Sequence, residues 1–370
     1  MSRLEEQIRT AAYRVGFQLC GFAPIQAPRH AEFVKQWVAD GNAAEMTYIE
    51  RGLAKRLDPQ LILPEARTII TLGRRYLPPP LPAIDWQQQL RGRIAAYALS
   101  ADYHVTLAAQ LGALATWLTG LRDGVVARPY VDTGPILERE WAAGGGIGWF
   151  GKNTNIVHTE HGSWLFLAEI LTNLALESDA PRADRCGTCT RCLDCCPTQA
   201  LRPGYVLDAR LCISYLTIEH RGPIPVPLRV KIGDWVFGCD ICQEVCPWNE
   251  QFARRHGITR SDELLPSLPD LLGLDEDHFR RRFRSSAIQR AKRDGFVRNV
   301  AVALGNTRNP AAVEPLARAV RQDPSPLVRS HAAWALGAIG TSAARFVLET
   351  AWSAEPDPGV RAEILRAMAR

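Results

Sequence analysis

The chain has 370 residues and a hydrophobic fraction of 46%, enough apolar surface to fill two or three packed domains without disulfide staples. Its formal net charge is +5, and its most apolar stretch, around Leu107 to Leu118, is interrupted by Gln110, Gly112, Thr116 and Trp117; it falls short of the ~20 residues a bilayer span requires, so no membrane partner is expected. The opening Met-Ser-Arg-Leu-Glu-Glu has early acids and no apolar signal core, which predicts a cytoplasmic location.

Leu4, Ile8, Ala11, Ala12, Val15 and Leu19 keep a helical period and predict a first helix, with Cys20 on its apolar side as an inert core thiol. Thr68-Ile-Ile-Thr-Leu-Gly reads as a strand stopped by glycine, and Val125 to Val131 and Trp164 to Leu171 as two more. His104 to Leu121 reads as a long apolar helix between them. Residues 1–180 are therefore expected to form an α/β domain with a mixed sheet. Residues 181–275 are rich in Gly, Pro and Cys and lack long periodic runs. From Asp277 a basic helix is expected, followed by a repeat. Val297-Arg298, Val328-Arg329 and Val360-Arg361 open similar apolar runs 31 and 32 residues apart, the second and third introduced by Asp323-Pro-Ser-Pro and Glu355-Pro-Asp-Pro. That period predicts stacked helix pairs of HEAT type over 276–370. The expected fold class is α+β / α/β, multidomain.

Nine of the ten cysteines lie between Cys186 and Cys246, whereas a disulfide framework would spread them along a short secreted chain. Cys186, Cys189, Cys192 and Cys196, followed by Pro197, match the ferredoxin run CxxCxxCxxxCP, in which three thiolates grip one cluster and the fourth reaches another. Cys239, Cys242 and Cys246 before Pro247 repeat the latter part of that run, but Val236 stands where its first cysteine belongs. Cys212 can supply the missing thiolate. By analogy with the crossed ligation of two-cluster ferredoxins, Cys186, Cys189, Cys192 and Cys246 are expected to hold one [4Fe–4S] cluster, and Cys196, Cys212, Cys239 and Cys242 a second. Zinc competes for isolated CxxC pairs, but two runs ending in Cys-Pro favour iron–sulfur. Cys195 is left as a spectator.

Such a segment relays single electrons, and the flanking residues must use them. Tyr130-Val-Asp132-Thr-Gly-Pro-Ile-Leu-Glu138-Arg-Glu140-Trp is the densest motif upstream. Asp132 falls at a strand end, where either a catalytic carboxylate or a capping aspartate fits. The glycines from Gly144 to Gly151 suit a flexible loop or close backbone approach to a planar cofactor. Gly146 through Lys152 has P-loop spacing, but Asn153 follows where Ser or Thr is needed, which disfavours ATP. Arg280, Arg281, Arg282, Arg284, Arg290, Lys292, Arg293 and Arg298 cluster within 19 residues and form either a solvated face or a row of phosphate contacts.

YVDTGPILEREWA, GIGWFGKNTN, GSWLFLAEILT, CGTCTRCLDCCPTQAL, CISYLTIEHRGPIP and GCDICQEVCPWN, in this order, closely resemble the epoxyqueuosine reductase family over essentially the whole chain. The resemblance implies a cobalamin- and iron–sulfur-dependent enzyme, related to reductive dehalogenases, that converts epoxyqueuosine to queuosine in the anticodon loop of tRNA. It implies base-off cobalamin without a protein ligand to cobalt. Tyr97, Tyr103 and His104 are accordingly read as packed or solvated side chains. Asp132 is implied as the proton donor, which requires a desolvated pocket that keeps it protonated. Arg56, Ser163 and Ser214 fall in matching motifs as cobalamin contacts, each equally readable as a surface or capping residue. Arg281, Arg284, Arg290, Lys292, Arg293 and Arg298 become expected tRNA contacts, and a flavodoxin or ferredoxin the expected electron donor.

Overall fold

The computed structural model describes residues 3–76, 84–255 and 265–370. It divides into two compact units, the first built from residues 3–76, 102–210 and 241–255, the second from 84–101, 211–240 and 265–370. The segment expected to form a separate cluster domain is thus shared between them. Among the described residues no helix is long and apolar enough to cross a membrane.

In the first unit, helix α1 (Arg3–Arg14) ends sooner than its periodicity suggests. Gly16 takes φ +107, a conformation glycine reaches without steric cost, and the chain turns into strand β1 (Leu19–Pro24). Leu19 and Cys20 therefore belong to a strand rather than to the helix. Cys20 is still a core thiol: burial pushes its pKa up to about 12.

β1 is followed by β2 (Thr68–Arg75), α2 (Tyr103–Thr119), β3 (Ala127–Tyr130), α3 (Glu138–Gly144) and β4 (Leu165–Thr172). The sheet order is β1-β2-β4-β3, and all three pairings are antiparallel. The mixed pairing expected from alternating helices and strands does not form. α2 joins β2 to β3, which run in the same direction, but β4 inserts between them and pairs with both. One sheet face carries Phe22, Ile70, Leu72, Ala168 and Ile170 against Ile8 of α1 and Leu107, Leu111 and Leu118 of α2. The other carries Ala23, Ile69 and Leu171 against Trp141 of α3. Burial on both faces explains why the strands read as continuous apolar runs rather than alternating ones.

The second unit contains α4 (Glu276–Arg282), α5 (Lys292–Thr307), α6 (Val313–Gln322), α7 (Pro326–Ile339), α8 (Ser342–Ala354) and α9 (Pro358–Met368). The repeat is stacked through glycine. A Cβ on Gly305 of α5 would fall 2.7 Å from Cα of Ala335 in α7, and one on Gly337 of α7 would fall 2.8 Å from Cα of Ala367 in α9. Equivalent positions of successive repeats thus let the helices touch backbone to backbone. The acid at each Pro-rich junction is buried and paired: Asp323 accepts from Arg293, and Glu355 from Arg329.

The basic run is not one helix. α4 ends at Arg282, a 3₁₀ turn spans Ala287–Ala291, and α5 starts at Lys292. Arg281, Arg284, Arg290 and Lys292 are exposed. Arg293 and Arg298 are not, which corrects their expected place among tRNA contacts. Arg293 is buried against Asp323 and the Leu274 carbonyl. Arg298 is 0% exposed and donates to the carbonyls of Leu216, His220 and Gly222 and to Asn299 Oδ1. Buried guanidinium groups bonded in this way fasten the fold and cannot reach a phosphate.

Candidate active site and cluster-binding segment

Asp132 directly follows Val131 at the end of β3. Its φ is +53, a left-handed conformation that aspartate tolerates better than most residues. The Thr133 N–H donates back to the Val131 carbonyl, so Asp132 sits at the centre of a tight three-residue turn of a strained class. The Asp132 N–H donates to Oε1 of Glu138, which begins α3. The turn thereby holds the carboxylate of Asp132 outward.

Two side chains at the start of α2 meet it there. Oδ2 of Asp132 accepts from the Tyr103 hydroxyl at 2.9 Å and lies 2.9 Å from Nε2 of His104. The other ring nitrogen of His104 lies 2.7 Å from Oδ1 of Asp102, which also accepts the His104 N–H and caps α2. Tyr103 and His104, expected to be merely packed or solvated, are partners of the candidate acid. Their signal was the Asp-Tyr-His spacing at a helix start, which places a cap and two ring side chains within one turn.

The hydrogen bond to Asp132 raises the His104 pKa, burial opposes this, and the bond to Asp102 adds to it. The Asp132 side chain is 53% exposed. The imidazole set between two carboxylates is favoured in its protonated form.

Beside this group, Tyr103 stacks on Phe166 of β4 at 4.5 Å, and Tyr76 lies 4.6 Å from the same ring. The three rings form a stack, with Phe166 between the other two. The Arg56 side chain donates from Nη1 to the Ile136 carbonyl, but its buried Nε has no hydrogen-bond partner. Burial lowers its pKa, whereas Tyr48, Glu138 and Asp132 raise it. Ser163 is otherwise engaged. It is 5% exposed, its hydroxyl donates to Gln243 Oε1 and accepts from Asn249 Nδ2, and its N–H donates to Asn249 Oδ1. Ser163 thus braces the segment that carries Cys242 and Cys246, a correction to its expected role as a cobalamin contact. Ser214 lies in the helix Ile213–Ile218 of the second unit.

The glycine run does not form a phosphate loop. Trp149–Phe150, near its end, pairs with Ile156–Val157 beyond it as a short antiparallel hairpin. A Cβ on Gly145 would lie 2.7 Å from Thr71 Oγ1 and one on Gly148 2.3 Å from the Val157 carbonyl, so close packing within the protein requires these glycines. Lys152 donates from Nζ to the carbonyls of Gly187 and Cys189 and pins the first cysteine loop. The P-loop spacing had concealed this role.

Cys186, Cys189, Cys192 and Cys246 all belong to the first unit. Burial pushes the Cys192 thiol up to about 11, and the charges of Cys246, Cys186 and Cys189 push it the same way. Cys246 is raised by burial and by Cys186 and Cys189, against the N–H groups of Trp248 and Asn249. The four thiols are near enough to act on one another's charge. Among the described residues, however, no three His, Cys, Asp or Glu side chains gather closely enough to hold a single metal ion. Such crowding disfavours thiolates until a cationic centre neutralises them, and an all-sulfur donor set suits iron–sulfur chemistry. Of the second expected set, Cys196 and Cys242 lie in the first unit and Cys212 and Cys239 in the second. Cys196 Sγ accepts the Ala200 N–H at 3.3 Å, and Cys195 is exposed.

Residues 185–249 match the 4Fe-4S double cluster binding domain family, residues 56–133 match Epoxyqueuosine reductase QueG, DUF1730, and residues 285–369 match HEAT repeats. An epoxyqueuosine reductase from Xanthomonas campestris pv. campestris is 40% identical over 341 residues, which cover 90% of this chain and 96% of that protein. A crystal structure of epoxyqueuosine reductase with an epoxyqueuosine-modified tRNA-Tyr stem loop superposes with a TM-score of 0.90 and 32% identity, covering 99% of this chain and 98% of the other. The Bacillus subtilis epoxyqueuosine reductase, solved with an aspartate-bearing catalytic loop swung out of the active site, gives a TM-score of 0.89 and 31% identity, covering 99% and 98%. Fold and cysteine segment together define an oxidoreductase with a double [4Fe–4S] domain and a HEAT-repeat region. The chain belongs to the epoxyqueuosine reductase family.

Proposed function

We propose that this protein reduces epoxyqueuosine to queuosine in the anticodon loop of tRNA, with Asp132 delivering a proton to the epoxide oxygen. The observation that carries the reading is the joint hydrogen bonding of Tyr103 and His104 to Asp132 on its left-handed turn. It is supported by 32% identity, over nearly the full length, to an enzyme solved with the modified stem loop.

Removing the epoxide oxygen as water takes two electrons and two protons and leaves an alkene. Two [4Fe–4S] clusters, when bound, supply the electrons one at a time, and we assign Cys186, Cys189, Cys192 and Cys246 to one and Cys196, Cys212, Cys239 and Cys242 to the other. Cobalamin, when bound, would supply an electron-rich, nucleophilic metal centre. The site fits such a group through the buried Arg56 Nε, which has no hydrogen-bond partner. Arg56 would donate to an oxygen of the corrinoid, and Ser214 is proposed as a second contact.

The remaining chemistry belongs to the chain's own groups. Asp102 fixes the His104 ring, and His104 holds a proton against Asp132. His104 gives that proton to Asp132, which passes it to the epoxide oxygen as the ring opens; the pair then takes up the second proton from solvent, and the oxygen leaves as water. Tyr103 keeps the carboxylate oriented. Arg281, Arg284, Arg290 and Lys292 would position the tRNA through its phosphates, while the modified base is read at the active site. Electrons are proposed to come from a flavodoxin or ferredoxin.

Asp132→Asn tests the central residue. Queuosine formation should fall by about 10²-fold or more, with iron and corrinoid content unchanged. Retained activity would overturn the role of Asp132.

A further inference from the structure

We propose that Glu138 is a positioning residue for Asp132: its carboxyl holds the backbone of the turn that presents Asp132, and its negative charge makes the Asp132–His104 pair keep its proton. This rests on the reading of Asp132 as the proton donor.

The geometry places Glu138 behind the acid. Its Oε1 accepts the N–H of Asp132 itself, the residue with φ +53 at the centre of the turn. An acceptor at that N–H ties the strained residue to the first turn of α3, so loss of the acceptor frees the turn. Glu138 is partly buried, and α3 packs on the sheet face that also carries Glu169 of β4. Glu169 is 0% exposed, stands opposite Thr71 on β2 and Tyr130 on β3, and neither of its carboxyl oxygens has a hydrogen-bond partner.

The groups acting on Glu138 are Asp132 on its turn, Arg139 on the same helix and Arg56 on the helix Leu53–Leu57; Glu138 in turn acts on Glu169 of β4. Burial and then the Asp132 charge raise the Glu138 pKa to about 7, against the Asp132 N–H, Arg139 and Arg56. Glu169 is raised well above its ordinary value by burial, then by Glu138 and Asp132, so it stays protonated and adds no charge of its own. Glu140, on the next turn position, is directed away to the Arg29 N–H and His30. Glu138 is thus the acid of α3 whose charge is felt at Asp132. As pH rises through 7 it ionises, and the new negative charge strengthens proton retention by the Asp132–His104 pair.

Two substitutions separate the two parts. Glu138→Gln keeps an acceptor for the N–H but cannot ionise: kcat at its optimum should stay within a few-fold, while the basic limb of the kcat–pH profile moves down by about one unit. Glu138→Ala removes the acceptor as well and should lower kcat by about ten-fold or more at every pH, with cluster content unchanged. An unshifted limb in the Gln variant overturns the electrostatic part, and wild-type kcat in the Ala variant overturns the latch. One readout needs neither turnover nor a Glu138 variant. In holoprotein labelled with [δ-¹³C]glutamate, one carboxyl should titrate near 7 and move to lower pH in Asp132→Asn. Failure of that shift overturns the coupling, whereas its presence in a protein that makes no queuosine would condemn the proposed reaction and leave the coupling standing.

Discussion

Nε2 of His104 lies 2.9 Å from Oδ2 of Asp132 while Nδ1 of the same ring lies 2.7 Å from Oδ1 of Asp102. Only a doubly protonated imidazole can donate to both carboxylates at once. Protonated, the ring holds a proton between two carboxylates; neutral, it has passed that proton to Asp132, the carboxyl turned toward solvent.

That arrangement sets a pH dependence. The His104 pKa is raised above its ordinary 6.5, first by the bond to Asp132, so kcat should be sustained above pH 6.5 and decline as pH rises through the raised value. Asp102→Asn should move the decline to lower pH, which a kcat–pH profile of the two proteins checks. The linkage to stability has the same sign. A histidine whose pKa is raised on folding contributes stability that is fully present below its unfolded value and is lost as pH rises through the folded one. Melting temperature should accordingly depend less on pH in His104→Asn over that window.

The RNA surface and the repeat core make opposite demands on neighbouring basic residues. Replacing Arg281, Arg284 and Lys292 together by alanine should weaken tRNA binding and reduce the slope of log K against log salt by about two to three, without changing the melting temperature. Arg293→Ala should instead destabilise the fold by about 3–5 kcal/mol, because Asp323, 8% exposed, would be left as an unpaired buried charge. Salt titrations of binding and denaturant unfolding of the two variants check both.

Cysteine substitutions should sort by assigned role. Cys192→Ala should lower bound iron well below the about eight atoms of two cubanes and weaken the broad absorption near 400 nm, whereas Cys195→Ala should leave both unchanged. Iron analysis of anaerobically purified protein distinguishes them.

The stacking of the repeat is testable at one atom. Gly337→Ala would place a methyl group 2.7 Å from the Ala367 carbonyl and 2.8 Å from its Cα, where the obstacle is backbone. It should destabilise the repeat by about 1–3 kcal/mol, visible as a lower denaturant midpoint.

The cysteine runs and the 31- and 32-residue repeat could be read from the chain because each is a local spacing rule: ligands or glycines recur at fixed separations. The antiparallel sheet could not be read, since nothing local records that β4 inserts between β2 and β3. The partners of Asp132 were obscured for the same reason. Tyr103 and His104 lie 29 and 28 residues upstream, and an aromatic pair at a helix start looks like core packing until the fold closes. The arginines misled in the other direction. A run of like charge looks like a surface, yet Arg293 and Arg298 point inward because they lie in the first half of α5, the first helix of the repeat, where carbonyls and Asp323 await them.

Incubating the anaerobic protein, loaded with cobalamin and both clusters, with a chemical reductant and epoxyqueuosine-containing tRNA, followed by mass spectrometry of the nucleosides, tests the central claim most directly. Epoxyqueuosine should be converted to queuosine, with loss of one oxygen from the nucleoside, and no conversion should occur with Asp132→Asn. Epoxyqueuosine that persists unchanged with fully loaded wild-type protein would contradict that claim.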